Sequence, residues 1–384
     1  MTTETAGAPT AVRESSLDTL RTILVAWIIG GHALLGYSTI GGWGYDEVNE
    51  VAFHPQVELV LAAILGPTAL FLMGTFFLVA GLFTPQSLDK KGAKVFLRER
   101  SLRLGLPFLV SAFVVWPISM WIAYRSSGRS VSYGFLLTGR DRLIDSGGLW
   151  FAEVLLLFSV GYVIWLQVAG RRTRGVGPGG FTLRQLAALA VGIALVTFFI
   201  RRWVSARGTE VFDLHLWQWP QLAAMFALGI IGARKGLASR VPARIGRTSG
   251  WITLVAVVAG PALALALGVD DTGGDLNPFL SGWRREAFAL AAFEGILVVF
   301  GSLWLLRFAQ LRLSGERPFM SRMARGSFAA FILQGPVLII IAVALRPLPL
   351  PAEVKAPVVM VAGIVACFGL GWLLVTRTRV GRIV

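Results

Sequence analysis

Cysteine is almost absent from this sequence, since Cys367 is the only one among 384 residues. A single cysteine excludes an intrachain disulfide and a cysteine-rich metal site, and we expect no metal in the protein. Charged residues are also scarce, at 15% of the chain, whereas soluble proteins carry about 25%. Because hydrophobic residues make up 55% of the chain, the composition indicates an integral membrane protein.

Acidic residues are too few to balance the basic ones, and the formal net charge is +15. In a soluble protein this excess would suggest nucleic-acid binding. Here the basic residues lie between apolar runs, which is typical of membrane topology. We therefore expect a lipid bilayer, and no nucleic acid, as a partner. The N-terminal segment lacks the basic region and cleavage site of a signal peptide, so the first apolar run should remain in the mature protein.

The sequence contains ten apolar runs long enough to cross a bilayer. They cover residues 17–36, 57–83, 102–124, 148–169, 183–200, 216–233, 251–268, 287–308, 327–345 and 357–376. This pattern predicts an all-α membrane protein, a bundle of about ten transmembrane helices. Gly66, Pro67 and Gly74 predict a kink or tilt in the second run.

Basic residues alternate between the two sets of connections. One side, which includes both termini, holds 24 lysines and arginines, and the opposite side holds 11. The positive-inside rule therefore predicts that both termini are cytoplasmic. We expect a multi-pass protein of the cell membrane, with a polar tail at 1–16, a single transmembrane domain at 17–376 and a basic tail at 377–384. The sequence leaves the oligomeric state open.

The first run carries two ionisable residues, Arg21 and His32. Eleven positions on an α-helix correspond to about 16 Å along the axis, and the two side chains then project from nearly the same face. Ionisable groups inside a membrane span are costly and suggest function. The alternative is that Arg21 reaches the membrane surface and a neighbouring helix satisfies His32.

Other ionisable groups separate by predicted depth. Arg100 and Arg103 lie at the cytoplasmic start of the third run, whereas Glu153 and Glu294 lie in the outer half of the membrane, like His32. Arginine suits phosphate, and a histidine can take a proton from an attacking hydroxyl while a carboxylate fixes its tautomer. The alternatives are that the arginines anchor the helix at the surface and that the carboxylates pair with basic groups or are protonated.

Several segments together resemble the acyltransferase-3 family of integral membrane O-acyltransferases. The Arg21-x10-His32 pair and the Arg100-x-x-Arg103 pair are two of them. The others are FFLVAGLF at 76–83, LWFAEVLL from Leu149, SLDKKGAKVFLRERSLRLGLPFLV and HLWQWPQLAAMFALGIIGARKGL. The last two are most similar to the glucan-modifying branch, which succinylates periplasmic glucans. The resemblance covers nearly the whole chain.

The resemblance implies a ten-helix bundle, an acyl-coenzyme A donor, His32 as the catalytic base, and Arg21, Arg100 and Arg103 near the donor. The chain departs from the family at two places. Gly74 and Ala80 stand where many relatives have Asp and Ser in the second span, and Gln334 stands where relatives often have His in the ninth. These departures suggest a changed acceptor or donor, or lost activity.

From these observations we predict a membrane O-acyltransferase. It would move a short acyl group from cytoplasmic acyl-CoA, such as acetyl-CoA or succinyl-CoA, to a hydroxyl of a glycan, a lipid-linked sugar or a glycosylated small molecule. His32, Glu153 and Glu294 are the predicted catalytic residues. A transporter or flippase of an amphipathic metabolite is the main alternative, and a catalytically silent membrane partner is the second.

The remaining polar and aromatic signals are weaker. His54 and His215 lie on outward connections, where the sequence favours an exposed or interfacial position over a catalytic one. Five tryptophans near the predicted outer surface are typical of an aromatic belt, with stacking on a sugar acceptor as the alternative. They are Trp43, Trp150, Trp203, Trp217 and Trp219.

Overall fold

The computed structural model describes residues 8–140, 142–169, 180–206, 210–268, 277–315 and 318–382. In these residues the architecture is all-helical, as predicted, with thirteen α-helices. They are α1 (Ala8–Leu35), α2 (Pro55–Arg100), α3 (Leu106–Val110), α4 (Trp116–Ser126), α5 (Trp150–Val168), α6 (Leu183–Ile200), α7 (Trp219–Arg234), α8 (Ala243–Ala266), α9 (Asn277–Leu280), α10 (Arg285–Ile296), α11 (Ser302–Arg312), α12 (Pro318–Leu345) and α13 (Ala352–Arg377). Short π-helical segments join α2 to α3, α3 to α4, and α10 to α11.

Eight helical segments in the described residues are long and apolar enough to cross a membrane. The prediction of about ten spans differs from this count for two physical reasons. The second and third apolar runs belong to one helical segment, Pro55–Ser126, which is interrupted at Gly92 and therefore enters this count once. The sixth run corresponds to α7, which at 16 residues is shorter than the roughly 20 needed to span a bilayer core.

The basic segment between the second and third runs is helical rather than a loop. α2 continues to Arg100, and its backbone leaves helical geometry at Gly92, with φ 73° and ψ 162°. Only glycine adopts this conformation at little steric cost, so Gly92 is where the chain changes direction. The residue of α2 with non-helical backbone angles is therefore Gly92, and the kink or tilt at Gly66, Pro67 and Gly74 stays a prediction.

α1 lies between two hydrophobic clusters. Its first half contributes Leu17, Leu20 and Leu24 to a cluster formed with α2, α5, α7 and the α10–α11 segment. Its second half contributes Val25, Ile29 and Ala33 to a cluster with α4, α12 and α13. The helix that carries Arg21 and His32 is therefore packed on both sides along its apolar length, which fixes the orientation of its polar side chains.

α2 and α7 approach each other at backbone distance. A Cβ atom on Gly81 would lie 2.3 Å from the Phe226 carbonyl oxygen, and one on Gly229 would lie 2.3 Å from the Leu78 carbonyl oxygen. Glycine at both positions is what allows this contact, because no larger residue fits between the two backbones. This contact fixes α7, and so the loop that precedes it, against α2.

Connections gather at one end of the bundle, where α1 ends and α2, α5 and α7 begin. A two-residue parallel pairing joins Arg142–Leu143 to Glu210–Val211. The Arg140 guanidinium reaches Asp145 at 2.8 Å and also pairs with Glu47. These contacts hold the connections after α1, α4 and α6 together as one polar cap.

Candidate active site

The main cavity of the described residues has a volume of about 470 Å³ and lies beneath the polar cap. This volume is within the range of small-molecule sites, about 300–1,000 Å³. Most of the residues that line it come from α1, the first half of α2, the loop at 38–44, the start of α5 and the segment before α7. Those of polar or aromatic character include His32, Glu58, Trp27, Trp43, Trp116, Trp150, Trp217 and His215.

His32 lines this cavity and has two defined neighbours. Its Nδ1 atom lies 2.9 Å from Oε1 of Gln334. Its ring stacks on Trp43, with centroids 4.1 Å apart and planes 11° from parallel. Because an amide oxygen only accepts hydrogen bonds, Nδ1 must carry the hydrogen, and Nε2 then keeps its lone pair. The two contacts therefore set both the plane of the imidazole and its tautomer as a base.

Gln334 is the partner of His32, at the position where the family often has histidine. Its side chain is buried, and Nε2 makes no hydrogen bond within the described residues. A Cβ atom on Gly148 would lie 2.7 Å from that nitrogen, so glycine at 148 makes room for the amide. The replacement of histidine by glutamine thus keeps an acceptor for Nδ1 of His32 but provides no group that can change charge.

Close packing against the α10–α11 segment explains why position 74 is glycine. A Cβ atom there would lie 2.1 Å from Cγ2 of Val298, on the turn between α10 and α11. An aspartate at this position, as in many relatives, would not fit against Val298 without a shift of the helix. The departure at Gly74 is therefore part of how α2 packs in this chain.

The structure places His215 at the cavity rather than at an exposed position. Its side chain is only 13% exposed, and it lines the same cavity as His32. Its ring stacks on Trp150 with centroids 4.2 Å apart. The sequence could not predict that His215 lines the cavity, because its position there depends on a contact between two loops that are far apart in the chain. His54, by contrast, is exposed at the start of α2, as expected.

The tryptophans only partly form a surface belt. Trp203 is exposed, whereas Trp43, Trp150 and Trp217 line the cavity. Trp43 is buried and packs its ring 5.1 Å from that of Trp116. The belt interpretation is therefore wrong for the buried Trp43, while Trp150 and Trp217 are partly buried and line the cavity.

Glu58 is a cavity residue that the sequence interpretation missed. Its carboxylate accepts hydrogen bonds from the hydroxyls of Ser38 and Thr39 and, at 3.0 Å, from the backbone N–H of Ile40. The side chain is buried. Glu58 thereby holds the loop after α1 against the start of α2, at the edge of the cavity.

The three predicted donor-binding arginines lie in one region. Arg100 is close enough to Arg21 and Arg103 for their charges to repel one another. It also lies over the ring of Phe96, 5.3 Å from its centroid. Arg21 is exposed and pairs with Asp18 at 3.5 Å. Guanidinium groups gathered against their mutual repulsion are typical of a phosphate-binding site.

A small cavity of about 50 Å³ lies beside Arg21. Met73 and Phe331 line both this cavity and the large one that contains His32. The two cavities therefore adjoin, with these two side chains between them. α1 runs along both, with Arg21 at the small cavity and His32 at the large one.

The two predicted catalytic carboxylates are placed elsewhere. Glu294 is buried on α10, and its oxygens lie 2.6 and 2.7 Å from Nη2 of Arg201. Glu153 lies in the first turn of α5, and its Oε2 atom is buried without a hydrogen-bond partner in the described residues. Neither residue is among those lining the cavity. The structure thus brings His32 to Gln334 rather than to either carboxylate, and a catalytic role for Glu153 or Glu294 stays a prediction.

A helical bundle with several membrane-length helices and a cavity lined by a histidine is the arrangement of a membrane protein with a substrate-sized site. The family model described as an acyltransferase domain, that of the acyltransferase-3 family, matches residues 14–376. The chain belongs to this family and is an acyltransferase that transfers groups other than amino-acyl groups. No curated protein and no solved structure matches it.

Proposed function

We propose that this protein transfers a short acyl group from cytoplasmic acyl-CoA to a hydroxyl of a glycan, a lipid-linked sugar or a glycosylated small molecule. We propose a carbohydrate acceptor because two segments of the sequence resemble the glucan-modifying branch of the family. The observation that carries the proposal is the contact between His32 and Gln334 at the wall of the 470 Å³ cavity. It orients the imidazole as a neutral base in a space large enough for a substrate.

The reaction follows from that tautomer. Nε2 of His32 takes the proton of the acceptor hydroxyl as the oxygen attacks the carbonyl carbon of the thioester. A carbon–oxygen bond forms, the carbon–sulfur bond breaks, and the thiolate leaves. The imidazolium then returns its proton to the thiolate, so the enzyme ends in its starting state. The histidine's partner is an amide and not a serine hydroxyl, which favours direct transfer over an acyl-enzyme.

The donor would enter from the side of the arginines. Its phosphates would contact Arg21, Arg100 and Arg103, and its thioester would extend past Met73 and Phe331 toward His32. The distance along α1 from Arg21 to His32 is about 16 Å, which an extended pantetheine arm can span. The shared walls of the two cavities support this path.

The acceptor would occupy the large cavity from the side of the polar cap. Flat apolar faces with few polar groups are typical of small-molecule sites, and indole rings can cover the faces of a sugar ring. Trp43, Trp116, Trp150 and Trp217 provide such faces around His32. If both termini are cytoplasmic, this end of the bundle faces outward, where a periplasmic glycan would be available.

The test of the base is His32→Ala in purified protein, with His54→Ala as the matched control. His54 is exposed, and its backbone N–H, not its ring, contacts Glu353. We expect His32→Ala to lower acyl transfer by roughly 10²-fold or more and to leave acyl-CoA binding by calorimetry unchanged. His54→Ala should change neither.

Transfer at a near-normal rate by the His32 variant would show that His32 is not the base. Accumulation of the acceptor inside vesicles without any acyl-CoA would favour the transporter alternative. Release of coenzyme A together with an acylated product, identified by mass, would exclude a catalytically silent partner.

The arginine region is tested separately. Arg100→Ala and Arg103→Ala should weaken coenzyme A binding by about tenfold each, because a charge-assisted phosphate contact contributes about 1.5 kcal/mol or more. Turnover at saturating donor should change less. Arg322→Ala on α12 serves as the control for loss of a basic residue. Unchanged donor affinity in both variants would place the coenzyme A phosphates elsewhere.

A further inference from the structure

The cavity contains a second histidine in a similar setting to the first. His215 stacks on Trp150 with centroids 4.2 Å apart and planes 11° from parallel. His32 stacks on Trp43 at 4.1 Å and the same angle. Both imidazoles line the same cavity. The acyl transfer described above uses only His32 and leaves His215 without a role.

The partners of the two histidines differ in charge. Nδ1 of His215 lies 3.1 Å from the backbone oxygen of Asp213 and 3.6 Å from its Oδ1 atom. The Asp213 side chain is fully buried, and its Oδ2 atom accepts hydrogen bonds from the backbone N–H of Ser146, at 2.9 Å, and from the Ser146 hydroxyl. A carboxylate fixed in this way stabilises an imidazolium. The Gln334 amide beside His32 has no charge with which to do so.

The backbone around this pair adopts an unusual conformation. Phe212, Asp213 and His215 all have positive φ, between 47° and 57°, and so does Ile144 in the facing loop, at 60°. Non-glycine residues in this region cost of order 1 kcal/mol or more each, and they cluster at functional sites. The pairing of residues 142–143 with 210–211 and the Ser146–Asp213 contacts hold this conformation.

We propose that His215, positioned by Asp213, is a cationic residue of the cavity that binds an oxygen anion of the substrate. This inference rests on the proposed acyl transfer for the identity of the substrate. The anion has two sources: the carbonyl oxygen of the thioester, which becomes negative when the hydroxyl attacks, or a carboxylate on a dicarboxylic acyl group such as succinyl. In both, the imidazolium donates a hydrogen bond and forms no covalent bond.

Two histidines with different partners divide the chemistry between them. A pair of titratable groups whose surroundings favour opposite charge states provides a base and an acid in one site. His32 beside a neutral amide is suited to accept a proton, and His215 is suited to carry a charge when Asp213 beside it is ionised. One cavity would then contain the base for the hydroxyl and the cation for the oxyanion.

Other ionisable groups around His215 must be included in any titration. Asp145, which pairs with Arg140, lies near Asp213, and His32 and Glu58 line the cavity. Burial and the charge of Asp145 raise the pKa of Asp213 to about 7, although His215 opposes the shift. Asp213 therefore ionises in the range where histidines change charge.

The kinetic test compares His215→Gln and Asp213→Asn with His54→Gln in the full-length protein in nanodiscs. Each variant is assayed with acetyl-CoA and with succinyl-CoA. If His215 binds the developing oxyanion, His215→Gln should lower kcat by roughly 10²-fold with both donors, the scale for one oxyanion donor. If it binds a fixed carboxylate, KM should rise about tenfold or more for succinyl-CoA only. Asp213→Asn should show the same pattern with a smaller loss.

Unchanged kcat and KM in His215→Gln with both donors would overturn the proposal. A loss of rate that only follows the loss of folded protein, measured by size-exclusion chromatography, would also overturn it. His54→Gln should match the unmodified protein in every assay.

A second measurement does not need enzymatic turnover. With only three histidines in the chain, NMR of ¹³C-histidine-labelled protein can follow each ring. Asp213→Asn should lower the pKa of the His215 ring by about one pH unit or more and leave that of His54 unchanged. Sodium succinate should shift the His215 signal in the unmodified protein. If Asp213→Asn leaves the pKa of the His215 ring unchanged, Asp213 does not position His215 and the proposal is overturned. If both NMR effects are present and no acyl-CoA supports transfer, the anion site stands and the proposed acyl transfer fails.

Discussion

At residue 334 the chain has an amide where relatives often have an imidazole. The two groups share one property, an acceptor for Nδ1–H of a neighbouring histidine, and differ in whether they can be charged. The 2.9 Å contact to His32 shows that this chain keeps the shared property. Glutamine at this position therefore still orients the imidazole of His32, which weakens the case for a catalytically silent protein.

We predict that Gln334→Leu lowers kcat for acyl transfer by about tenfold. The imidazole then loses the hydrogen bond that sets its tautomer, and a net loss of about 1.4 kcal/mol corresponds to this factor. Donor binding should not change. The matched control is Gln221→Leu, since Gln221 is also buried but is not the hydrogen-bond partner of His32. Equal rates in the two variants would show that His32 needs no partner at position 334.

At the scale of elements, an ion pair inside the bundle joins α10 to the end of α6. Arg201 and Glu294 are both buried, and Nε and Nη1 of Arg201 have no further partner in the described residues. Removal of one member of a buried pair leaves an uncompensated charge and costs about 3–5 kcal/mol. This geometry indicates that Glu294 stabilises the contact between α6 and α10.

Glu294→Gln is therefore expected to reduce the amount of folded protein and its thermal stability. The double variant Arg201→Met/Glu294→Met should recover most of the loss, because it removes both charges and keeps side-chain volume. Fluorescence-detected size-exclusion on heated samples measures this. If Glu294→Gln folds normally but loses turnover, the catalytic prediction for Glu294 is right instead. Glu153→Gln, assayed in parallel, tests the other carboxylate.

At the scale of the whole molecule, the contacts of the polar cap constrain the topology. Arg140 pairs with Glu47, and Lys355 pairs with Glu50 at 2.6 Å. The connections after α1, α4 and α12 must therefore lie on the same side of the membrane. The distribution of basic residues assigns all three to the outer side, so a contact-based and a charge-based argument lead to the same grouping.

Reporter fusions after Gly44 and Arg140 should accordingly indicate the outside, and fusions after Lys91 and Arg240 the inside. The sequence makes the same prediction for Asp271, outside, and Gly177, inside, which lie beyond the described residues. A cytoplasmic signal at Gly44 would reverse the orientation. The donor and acceptor sides of the cavity would then have to be exchanged.

The amino-acid sequence by itself determined the helical membrane class, because long apolar runs leave few alternatives to helices in a bilayer. It also predicted His32 and the three arginines as site residues, because ionisable residues in or beside apolar segments are conspicuous. Helix ends and the span count were less certain, since α2 extends through charged residues to Arg100 and bends at Gly92. The hydrophobicity of the sequence does not show that charged residues continue a helix.

Only the tertiary structure decided which groups meet. His32 and Gln334 are 302 positions apart, and Asp213 meets Ser146 through two loops whose sequences show no periodicity. Glu294 had a depth similar to that of His32 by sequence, yet its partner is Arg201. Depth along a helix follows from residue number, but the neighbour of a side chain depends on how helices rotate and pack. That packing is set by contacts such as Gly81 with Gly229, which no local pattern reveals.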